Sequence, residues 1–408
     1  MAEKFDVVIV GGGIFGCSVA YQICRMSNLN VALVERGAIA TQTTALAASV
    51  VTRGRSALPQ IELVLETFAA IGDLESRLGE SLNFNAVGSL HVARSKQSAE
   101  PFAAQAELLK QTGDAPCELT IAQARKLTPW LELDQAECIF HNPADGFVDP
   151  YRLASAYLQG ARAHGGLSIF QETSVSQLET NNRNVTGVMT DKGFLAADQV
   201  VVTAGPWANL LLRPLGSASA MTPVRSHYWI TEPNQIYPAH SPVMILPEAN
   251  AYTRPENGSL LFGLRDQTGK WAHPSELPVD LQGFSFDEDY EGWEALQQSV
   301  EPFMEVCPSL ADVNIRHYIS GPSCYTPDGN YVIGAAPGLY NVYLASGCCG
   351  SGISTSGGVG KSIAELVFGR STSIDISAFS PDRFTDFDPF DPAFQEKCAS
   401  SRFQKKAG

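Results

Sequence analysis

Residues 6–16 read Asp-Val-Val-Ile-Val-Gly-Gly-Gly-Ile-Phe-Gly and constrain the fold of this chain more than any other segment. The run Val7–Val10 consists of β-branched residues and predicts a buried parallel strand, and the apolar stretch Cys17–Met26 predicts the helix that follows. A second apolar run, Val31–Val34, predicts the next strand and ends on Glu35. This succession of strand, glycine turn, helix and strand predicts a Rossmann-like α/β fold.

The glycines of this segment have the G-x-G-x-x-G spacing of a dinucleotide-binding turn. Gly11 permits the tight turn, Gly13 lets the backbone approach a pyrophosphate, and Gly16 lets the helix pack closely on the strand. The helix start offers free N–H groups and the positive end of a dipole to the phosphates. Glu35, about 20 residues further on, is placed to accept hydrogen bonds from a ribose hydroxyl. We therefore predict a bound dinucleotide.

The composition narrows the range of partners. The chain has 408 residues, enough for two domains, and its formal net charge of -15 disfavours nucleic acid and anionic lipid as partners. Nine cysteines are scattered without C-x-x-C or Cys/His metal spacing, so we expect neither a disulfide framework nor a metal site. No signal peptide pattern precedes the first strand and no apolar run is long enough to span a membrane, so we expect a cytoplasmic protein.

The predicted dinucleotide domain is discontinuous in sequence. Asp198–Trp207 predicts another buried parallel strand with its turn, and Val342–Ser346 predicts the last one. We predict a dinucleotide-binding domain over residues 1–85, 145–222 and 319–378, an inserted antiparallel-sheet substrate domain over 86–144 and 223–318, and a peripheral C-terminal tail over 379–408. Because several loops of such an arrangement can enclose a permanently bound ring, it favours a flavin over a diffusible nicotinamide.

Further segments, in this order along the chain, carry a family resemblance. They are Gly146-Phe-Val-Asp-Pro-Tyr-Arg-Leu153, Val200-Val-Val-Thr-Ala-Gly-Pro-Trp207, Pro223-Val-Arg-Ser-His-Tyr228, Tyr325-Thr-Pro-Asp-Gly329 with Val332-Ile-Gly334, and the loop 347–360. With the first glycine turn, they resemble the D-amino-acid-oxidase-like flavoprotein family, which includes sarcosine oxidase, glycine oxidase and dimethylglycine dehydrogenase. The resemblance covers nearly the whole chain, and it is specific for the family but not for a substrate.

This resemblance implies FAD bound in an extended form. The implied contacts are Gly11, Gly13 and Gly16 at the pyrophosphate, Glu35 and Arg36 at the adenosine ribose and its surroundings, Thr43 and Thr44 at the phosphate or ribityl chain, Val175, Ala204 and Gly205 at the adenine end, and Gly350, Ser351, Gly352, Ile353 and Ser354 beneath the pyrimidine side of the flavin. Ile14, Phe15 and Trp207 are further predicted FAD contacts. A helix N-terminus at this last position would stabilise the negative charge that a reduced flavin carries at N1 and O2.

Two positions at which some family members tether the flavin covalently differ in this chain. The histidine of the dimethylglycine dehydrogenase type corresponds to Leu46, and the cysteine of the sarcosine oxidase type corresponds to Gly321. Cys324 lies three residues after the second position. We therefore predict a non-covalent FAD, and Cys324 is the leading candidate for a covalent attachment that would overturn this prediction.

Positions that contact the substrate or oxygen in the family also differ. The lysine in the glycine-rich loop of sarcosine oxidase corresponds to Ser354, and the arginine of glycine oxidase corresponds to Ser323. The oxidase lysine associated with oxygen activation corresponds to Leu261, with Arg265 at the histidine of the same motif. Because this ammonium group is missing, we favour a dehydrogenase with a separate electron acceptor over an oxidase.

A substrate carboxylate then needs another cationic partner. An arginine fork binds a carboxylate through two hydrogen bonds, so Arg53, Arg55, Arg254, Arg265 and Arg316 are all chemically suitable, although each is also suited to a structural ion pair. Our candidates for the substrate pocket are Arg53, Arg265, His227, Tyr252 and Tyr325.

The resemblance implies an FAD-dependent oxidoreductase that acts on a C–N bond. The substrate would be a small amine, amino acid or N-methyl amino acid, which transfers hydride to flavin N5 and leaves an imine that hydrolyses. The electrons would pass to oxygen or to a separate acceptor. Two alternatives stay open: an FAD-dependent 2-hydroxy acid dehydrogenase, which needs a strong base such as His227, and a flavin-bearing subunit of a larger complex.

Overall fold

The computed structural model describes residues 3–114, 116–266 and 269–404. Within these ranges the strands are β1 Glu3–Val10, β2 Val31–Val34, β3 Val50–Val51, β4 Ser89–Ala93, β5 Cys117–Glu118, β6 Cys138–Asn142, β7 Gly146–Phe147, β8 Leu167–Phe170, β9 Val175–Asn181, β10 Asn184–Thr190, β11 Gly193–Val202, β12 Thr222–Thr231, β13 Val243–Leu246, β14 Ala251–Glu256, β15 Ser259–Leu264, β16 Ile315–Tyr325, β17 Val332–Ala335 and β18 Val342–Ser346. The α-helices are α1 Ile14–Met26, α2 Leu58–Leu78, α3 Lys96–Gln111, α4 Ile121–Leu127, α5 Pro150–His164, α6 Ala208–Leu212, α7 Trp293–Ser299, α8 Glu301–Met304, α9 Gly352–Val367 and α10 Pro392–Gln404.

The first sheet has the strand order β17-β18-β11-β1-β2-β8, and β10 and β9 extend it as a meander from β11. The strands from β18 to β8 are parallel, whereas β17 pairs antiparallel with β18. Val7 and Ile9 belong to the hydrophobic cluster on one face of this sheet, and Val8 and Val10 to the cluster on the other. Burial of both faces explains the continuous apolar run of β1. The predicted Rossmann-like α/β domain is confirmed.

Helices α1, α5 and α9 pack together on one face of the first sheet, with α2 against α9. The contact between α1 and α9 is close because a Cβ atom at Gly360 would lie 2.2 Å from Ser18 Oγ. The Ser18 hydroxyl donates a hydrogen bond to the carbonyl oxygen of Ser356 at 2.7 Å. Both helices follow parallel strands, so their N-terminal ends meet at the same edge of the sheet.

The second sheet has the order β16-β12-β15-β14-β13-β4-β6-β5 and is antiparallel apart from the β13–β4 pair. Its outer face is covered by α7 and α8. Trp229 and Phe303 both stack with Phe262, with ring centroids 5.6 Å and 5.3 Å away from it. Because side chains alternate along a strand, Gly263 lies on the opposite face of β15, and Arg265 continues that face just beyond the strand. The inserted antiparallel-sheet domain is confirmed.

The structure differs from the expected domain organisation in two respects, one domain limit and the position of the C-terminal tail. Strand β16 pairs with β12 along its whole length, from Thr222 opposite Tyr325 to Thr231 opposite Ile315. The limit expected between residues 318 and 319 therefore falls inside a strand, and residues 319–325 belong to the second sheet.

The second difference concerns residues 379–408, which we expected to be a peripheral tail. Its helix α10 packs against β12 and β16, and the Ser401 hydroxyl donates to the Thr326 carbonyl at 2.7 Å. Cys398, Ala399 and Arg402 are buried in this contact. The part of this segment that the structure describes, up to residue 404, therefore packs on the second sheet through α10 and is not peripheral, and residues 405–408 lie outside the described ranges. Across the described ranges, no helix combines the length and the apolar character needed to cross a membrane.

Candidate active site

A cavity of about 530 Å³ lies at the carboxyl ends of the parallel strands and reaches the inner face of the second sheet. Its lining includes Val10, Val34 and Ser346, which end β1, β2 and β18. Ligands of open α/β sheets bind at this edge. We call the part lined by the first sheet and its loops the dinucleotide half. The part lined by residues 226–228, Tyr252, Arg265, Tyr325 and Arg402 is the substrate half.

The glycines of the turn have two different roles, close packing of the backbone and access of a ligand to it. A Cβ atom at Gly11, where φ is 108°, would lie 2.6 Å from the Thr203 carbonyl oxygen, and one at Gly16 would lie 1.9 Å from the Gly11 carbonyl oxygen. Gly13 has an extended backbone with φ of -75°, and the nearest atom to its added Cβ is Thr44 Oγ1 at 3.3 Å. Gly11 and Gly16 therefore permit the close packing of helix on strand, whereas Gly13 leaves the backbone open to the cavity.

The start of α1 faces this open backbone. Gly13 precedes the helix without a side-chain cap, and the Ile14 N–H donates to Thr44 Oγ1 at 3.0 Å. This bond ties the loop that contains Thr43 and Thr44 to the helix start, next to Phe15 on the cavity wall. The remaining N–H groups of the first turn have no intrahelical acceptor, so they suit a pyrophosphate.

Glu35 is fixed at the end of β2 by two backbone donors. The Gly12 N–H donates to Oε2 at 2.7 Å and the Gly37 N–H donates to Oε1 at 2.9 Å. A carboxylate oxygen accepts more than one hydrogen bond, so each oxygen keeps capacity for a ligand hydroxyl. Glu35 also lines the cavity. It therefore suits the ribose contact that the sequence predicts.

A stacked pair stands at the far end of the dinucleotide half. The Arg36 guanidinium carbon lies 3.7 Å from the centroid of the Trp207 ring, a cation–π contact. Val175, Ala204 and Gly205 line the cavity beside this pair. A flat, partly cationic wall of this kind suits a purine ring.

The N-terminus of α9 forms the opposite end of the dinucleotide half. Gly350 adopts a positive φ of 74° and turns the chain into the helix, which starts at Gly352. The Arg55 guanidinium donates to Ser354 Oγ at 3.0 Å and is buried against this first turn. The helix dipole and the arginine charge both favour an anion here. This is the property expected of the site that stabilises a reduced flavin.

The dinucleotide half fits FAD by its own chemistry. Arg36 Nη2, Thr43 Oγ1 and Trp207 Nε1 are buried without a hydrogen-bond partner in the described part of the chain, and all three residues line the cavity. Buried polar atoms are normally paired, so these atoms fit a polar ligand of extended shape. The structure brings to this wall the predicted residues Gly11, Gly13, Ile14, Phe15, Glu35, Arg36, Thr43, Thr44, Val175, Ala204, Gly205, Trp207, Gly350, Ser351, Gly352, Ile353 and Ser354. Gly16 lies behind it, in the packing.

Four of our five substrate-pocket candidates line the substrate half: His227, Tyr252, Arg265 and Tyr325. A Cβ atom at Gly350 would lie 2.6 Å from the Tyr325 hydroxyl, so this phenol adjoins the turn before α9 and joins the two halves. Burial raises the pKa of Tyr252 and of Tyr325, which keeps both phenols neutral. Burial lowers the pKa of Arg265 to about 10, so its guanidinium stays charged near neutral pH.

His227 lies in the cavity wall, but both of its ring nitrogens face protein oxygens. Nδ1 lies 3.0 Å from the Tyr318 hydroxyl. Nε2 lies 3.2 Å from Asp266 Oδ1, without the alignment of a hydrogen bond. Burial lowers the pKa of His227, against the opposing effect of Asp266, so the imidazole is neutral near pH 7. This arrangement suits a structural histidine better than a base that takes a proton from the substrate.

Arg53, the fifth candidate, lies outside the cavity. Its Nη1 atom pairs with Asp114 Oδ1 at 3.3 Å, and its guanidinium carbon lies 3.9 Å from the centroid of the Phe68 ring. These contacts explain why the side chain turns away from the cavity, although the adjacent loop lines it. Of the other arginines considered, Arg254 donates to main-chain carbonyl groups and Arg316 is exposed.

Arg402 is a cavity residue that the sequence did not reveal. It is 4% exposed and donates to Asp266 Oδ2 and to the Leu264 carbonyl oxygen, each at 3.3 Å. The only sequence signal was the spacing of Gln395, Cys398 and Arg402 along one face of α10. Such spacing predicts a helix that packs on something, but it does not say which cavity the helix reaches.

The positions that correspond to covalent flavin attachment are close to each other. Leu46 lines the cavity, and a Cβ atom at Gly321 would lie 2.6 Å from Leu46 Cδ1. Neither residue can form a bond to a flavin. Cys324 also lines the cavity and is 3% exposed, and burial raises the pKa of its thiol well above the ordinary value. A thiol that stays protonated is a poor nucleophile.

Known proteins are similar to this chain in sequence and in fold. The chain is 28% identical over 395 residues to the mitochondrial dimethylglycine dehydrogenase of Rattus norvegicus, a match that covers 94% of this chain and 45% of that protein. The chain thus spans about half the length of the curated relatives that it matches. The L-proline dehydrogenase from P. horikoshii superimposes with a TM-score of 0.82 at 22% identity, over 94% of this chain and 98% of that one.

A second solved structure, the glycine oxidase from Geobacillus kaustophilus, has a TM-score of 0.76 at 21% identity and covers 94% of this chain and all of that one. At these identities the two structures support the fold. Residues 6–366 match the family described as FAD dependent oxidoreductase (DAO). The family resemblance and the FAD cofactor that the sequence predicted are confirmed, and the chain belongs to the DAO family of FAD dependent oxidoreductases.

Proposed function

We propose that this protein oxidises a C–N bond of a small amino acid or N-methyl amino acid. One observation carries the proposal: the cavity that fits FAD continues without interruption into a pocket lined by one guanidinium, Arg265, and two neutral phenols, Tyr252 and Tyr325. The chemistry that FAD would supply when bound is the acceptance of a hydride from the carbon next to the substrate nitrogen, and water would then hydrolyse the imine to a carbonyl compound and a free amine.

The residues of the dinucleotide half would hold the cofactor without a covalent bond. The start of α1 would bind the pyrophosphate, Glu35 the ribose, and the Arg36–Trp207 pair the adenine. The start of α9, with Arg55 against it, would face the pyrimidine side of the flavin. Leu46 and Gly321, at the two attachment positions, support a dissociable cofactor.

The residues of the substrate half would orient the substrate and exclude water from it. Arg265 would bind the carboxylate through two hydrogen bonds, which fixes the position of the α-carbon. Tyr252 and Tyr325 would form the side walls, and their raised pKa values keep negative charge away from the substrate. An unprotonated amine needs no base for hydride loss.

The geometry of His227 favours an amine over a 2-hydroxy acid as the substrate. Oxidation of an alcohol needs a group that removes the hydroxyl proton. Nδ1 of His227 lies against Tyr318 and Nε2 lies against Asp266, and burial lowers the pKa of the ring, so His227 is a weak base here. The described lining of the cavity includes no other histidine.

The lining also bears on the electron acceptor. Leu261, which corresponds to the oxygen-activating lysine of oxidases, is fully buried in β15. Among the described residues, no lysine lines the cavity. Without a mobile ammonium group to stabilise developing superoxide charge, a separate electron acceptor is favoured over oxygen.

Steady-state kinetics of the FAD-loaded protein test this proposal. A panel of amino acids and N-methyl amino acids is assayed with oxygen and with a soluble quinone, and products are identified. We expect turnover with the quinone, and a 10- to 100-fold loss of kcat/KM in Arg265→Gln, from about 1.5–3 kcal/mol for a charged hydrogen-bonded pair. Arg125→Gln is the control, because Arg125 pairs with Asp134 at the exposed surface.

Two results would contradict the proposal. One is the absence of turnover with every amine in the panel while the protein holds a full complement of FAD. The other is an equal loss in both arginine variants. Native mass of the active fraction shows whether turnover instead needs a further subunit.

A further inference from the structure

A short loop, residues 52–55, lies between the large cavity and a much smaller one. Thr52 and Arg55 line the large cavity, whereas Gly54 lines a cavity of about 20 Å³ behind the loop. A space of that size holds about one water molecule. Among the described residues, the only backbone hydrogen bond that joins residues 52–56 to another segment is donated by the Arg53 N–H. The position of the loop therefore depends on this bond.

The acceptor of this bond is Asp145, which is fully buried. Its Oδ1 atom accepts from the Arg53 N–H at 3.0 Å, and its Oδ2 atom accepts from the Ser89 hydroxyl at 2.7 Å. The carbonyl oxygen of Asp145 accepts from the Gly88 N–H at 2.9 Å. The side chain and the backbone of Asp145 are thus both tied to the start of β4, so its carboxylate joins the loop to the second sheet.

Arg55, at the end of this loop, meets only neutral acceptors in the described part of the chain. Its Nη1 atom donates to Thr52 Oγ1 at 3.0 Å and to the Gly54 carbonyl oxygen at 2.7 Å, and its Nη2 atom donates to Ser354 Oγ at 3.0 Å. The Tyr331 hydroxyl is a further neutral neighbour. The side chain is 5% exposed, and Nε is buried without a hydrogen-bond partner among the described residues. A buried guanidinium in this state suits an anionic partner in the cavity.

The guanidinium of Arg55 is oriented by the loop itself. Its Nη1 atom bonds to two groups of the loop, so its position follows that of the backbone that Asp145 holds. Without an acceptor for the Arg53 N–H, the loop would have room to retreat into the small cavity behind it. The contact between Arg55 and Ser354, at the start of α9, would then lengthen.

We infer that Asp145 is a positioning residue for Arg55. Its carboxylate holds the loop so that the guanidinium stays against the N-terminus of α9, where it stabilises negative charge on the flavin. Asp145 itself lines the small cavity and not the large one. This inference rests on the flavin position given in the proposed function for what Arg55 meets, but it does not depend on which substrate is oxidised.

Sulfite binding to the FAD-loaded full-length protein measures this stabilisation without a substrate. The sulfur lone pair of sulfite forms a bond to flavin N5, and the displaced electron pair leaves negative charge at N1 and O2, which bleaches the oxidised flavin. Burial raises the pKa of Asp145 to about 6, so a titration at about pH 8 is made with the carboxylate ionised. We expect Arg55→Gln to bind sulfite at least about 10-fold more weakly than the wild type, because one charged hydrogen-bonding group is lost.

Variants at position 145 show whether Asp145 acts through Arg55. Asp145→Ala removes the acceptor of the Arg53 N–H, so sulfite should bind at least about 5-fold more weakly. Asp145→Asn should stay within about 3-fold of the wild type, because its amide can accept from the Arg53 N–H and donate to Ser89 Oγ. Combined with Arg55→Gln, Asp145→Ala should cause no further loss. If Asp145→Ala does not retain FAD, Asp145→Ser replaces it, because its shorter side chain cannot reach the Arg53 N–H.

Two matched controls separate this effect from a general loss of packing. Arg53→Gln keeps the backbone bond to Asp145 and removes a guanidinium that lies outside the cavity. Glu365→Ala removes another buried carboxylate that accepts a bond from a backbone N–H, that of Ser373 at 2.8 Å, near the other end of α9. Both variants should bind sulfite within about 3-fold of the wild type.

Wild-type sulfite affinity in Arg55→Gln or in Asp145→Ala overturns the inference, as does a wild-type protein that binds no sulfite. An equal loss in Asp145→Asn and Asp145→Ala also overturns it, and so does a loss in the double variant that equals the product of the two single losses. Failure of the proposed function looks different: the sulfite affinities would follow the expected pattern, but no amine in the panel would reduce the flavin.

Discussion

Gly13→Ala and Gly16→Ala should separate the two tasks of the glycine turn, which are the binding of FAD and the packing of α1. Both residues are part of the same motif, and both changes add one methyl group. At Gly16 the new Cβ atom would lie 1.9 Å from the Gly11 carbonyl oxygen. At Gly13, which lines the cavity, the nearest atom is a side-chain oxygen 3.3 Å away.

The expected magnitudes follow from these distances. Contacts below 3.0 Å require the structure to shift, so the 1.9 Å contact at Gly16 moves α1 away from β1 by about an ångström. Overpacking of this kind costs about 1–3 kcal/mol of stability. The φ of -75° at Gly13 is accessible to alanine. Alanine is a poorer N-cap residue than glycine, but it loses less backbone entropy on folding, and the two effects on stability oppose each other. The stability of apo Gly13→Ala should thus stay within about 1 kcal/mol of the wild type.

Urea unfolding of the apoproteins and titration of each with FAD measure the two effects. We expect Gly16→Ala to unfold at a lower urea concentration. Gly13→Ala should unfold as the wild type does, but it should bind FAD at least about 10-fold more weakly, because its methyl group occupies space needed by the pyrophosphate. Wild-type FAD affinity in Gly13→Ala, or wild-type stability in Gly16→Ala, would refute this division of roles.

Three further predictions concern the cofactor and the stability of the fold. Glu35→Gln should weaken FAD binding about 10- to 100-fold in the same titration, because the amide group turns one acceptor that faces a backbone N–H into a donor. Burial lowers the pKa of His91 from 6.5 to about 4, so between these pH values the unfolded state binds more protons than the folded state. The free energy of unfolding, measured with urea, should therefore fall by up to about 3 kcal/mol as the pH decreases from about 6.5 to 4. His91→Gln should not show this contribution. Acid precipitation should release all of the FAD from the wild-type protein and from Cys324→Ala alike; yellow colour that stays with the wild-type pellet but not with the variant would show a bond to Cys324.

The dinucleotide half was predictable because its geometry depends on short segments. A strand that ends in Gly11 and continues as a helix after Gly13 places its own N–H groups, wherever the rest of the chain lies. Glu35 follows from the same unit, since it ends the neighbouring parallel strand. The residues predicted to bind the dinucleotide therefore belong to the same short segments that form the strands and the helix.

The substrate half was predictable only in part, because it is assembled by packing between distant elements. Arg53 and Arg55 are two residues apart, but Asp114 and Phe68 hold the first outside the cavity, whereas the second lines it. Arg402 reaches the cavity only because α10 docks on β12 and β16. No spacing in the sequence specifies those partners. The domain limit expected between residues 318 and 319 was wrong for the same reason, because pairing with β12 continues strand β16 across that point.

The most direct test of the central claim is an anaerobic titration of the FAD-loaded protein with a matched pair of compounds, an amino acid and the 2-hydroxy acid of the same carbon skeleton. We use alanine or N-methylalanine against lactate, so that the carboxylate is kept and only the oxidised bond differs. The account predicts that the amine bleaches the flavin with about one equivalent per site and yields the oxo acid, whereas the hydroxy acid binds without reduction. Reduction by the hydroxy acid and not by either amine would contradict it.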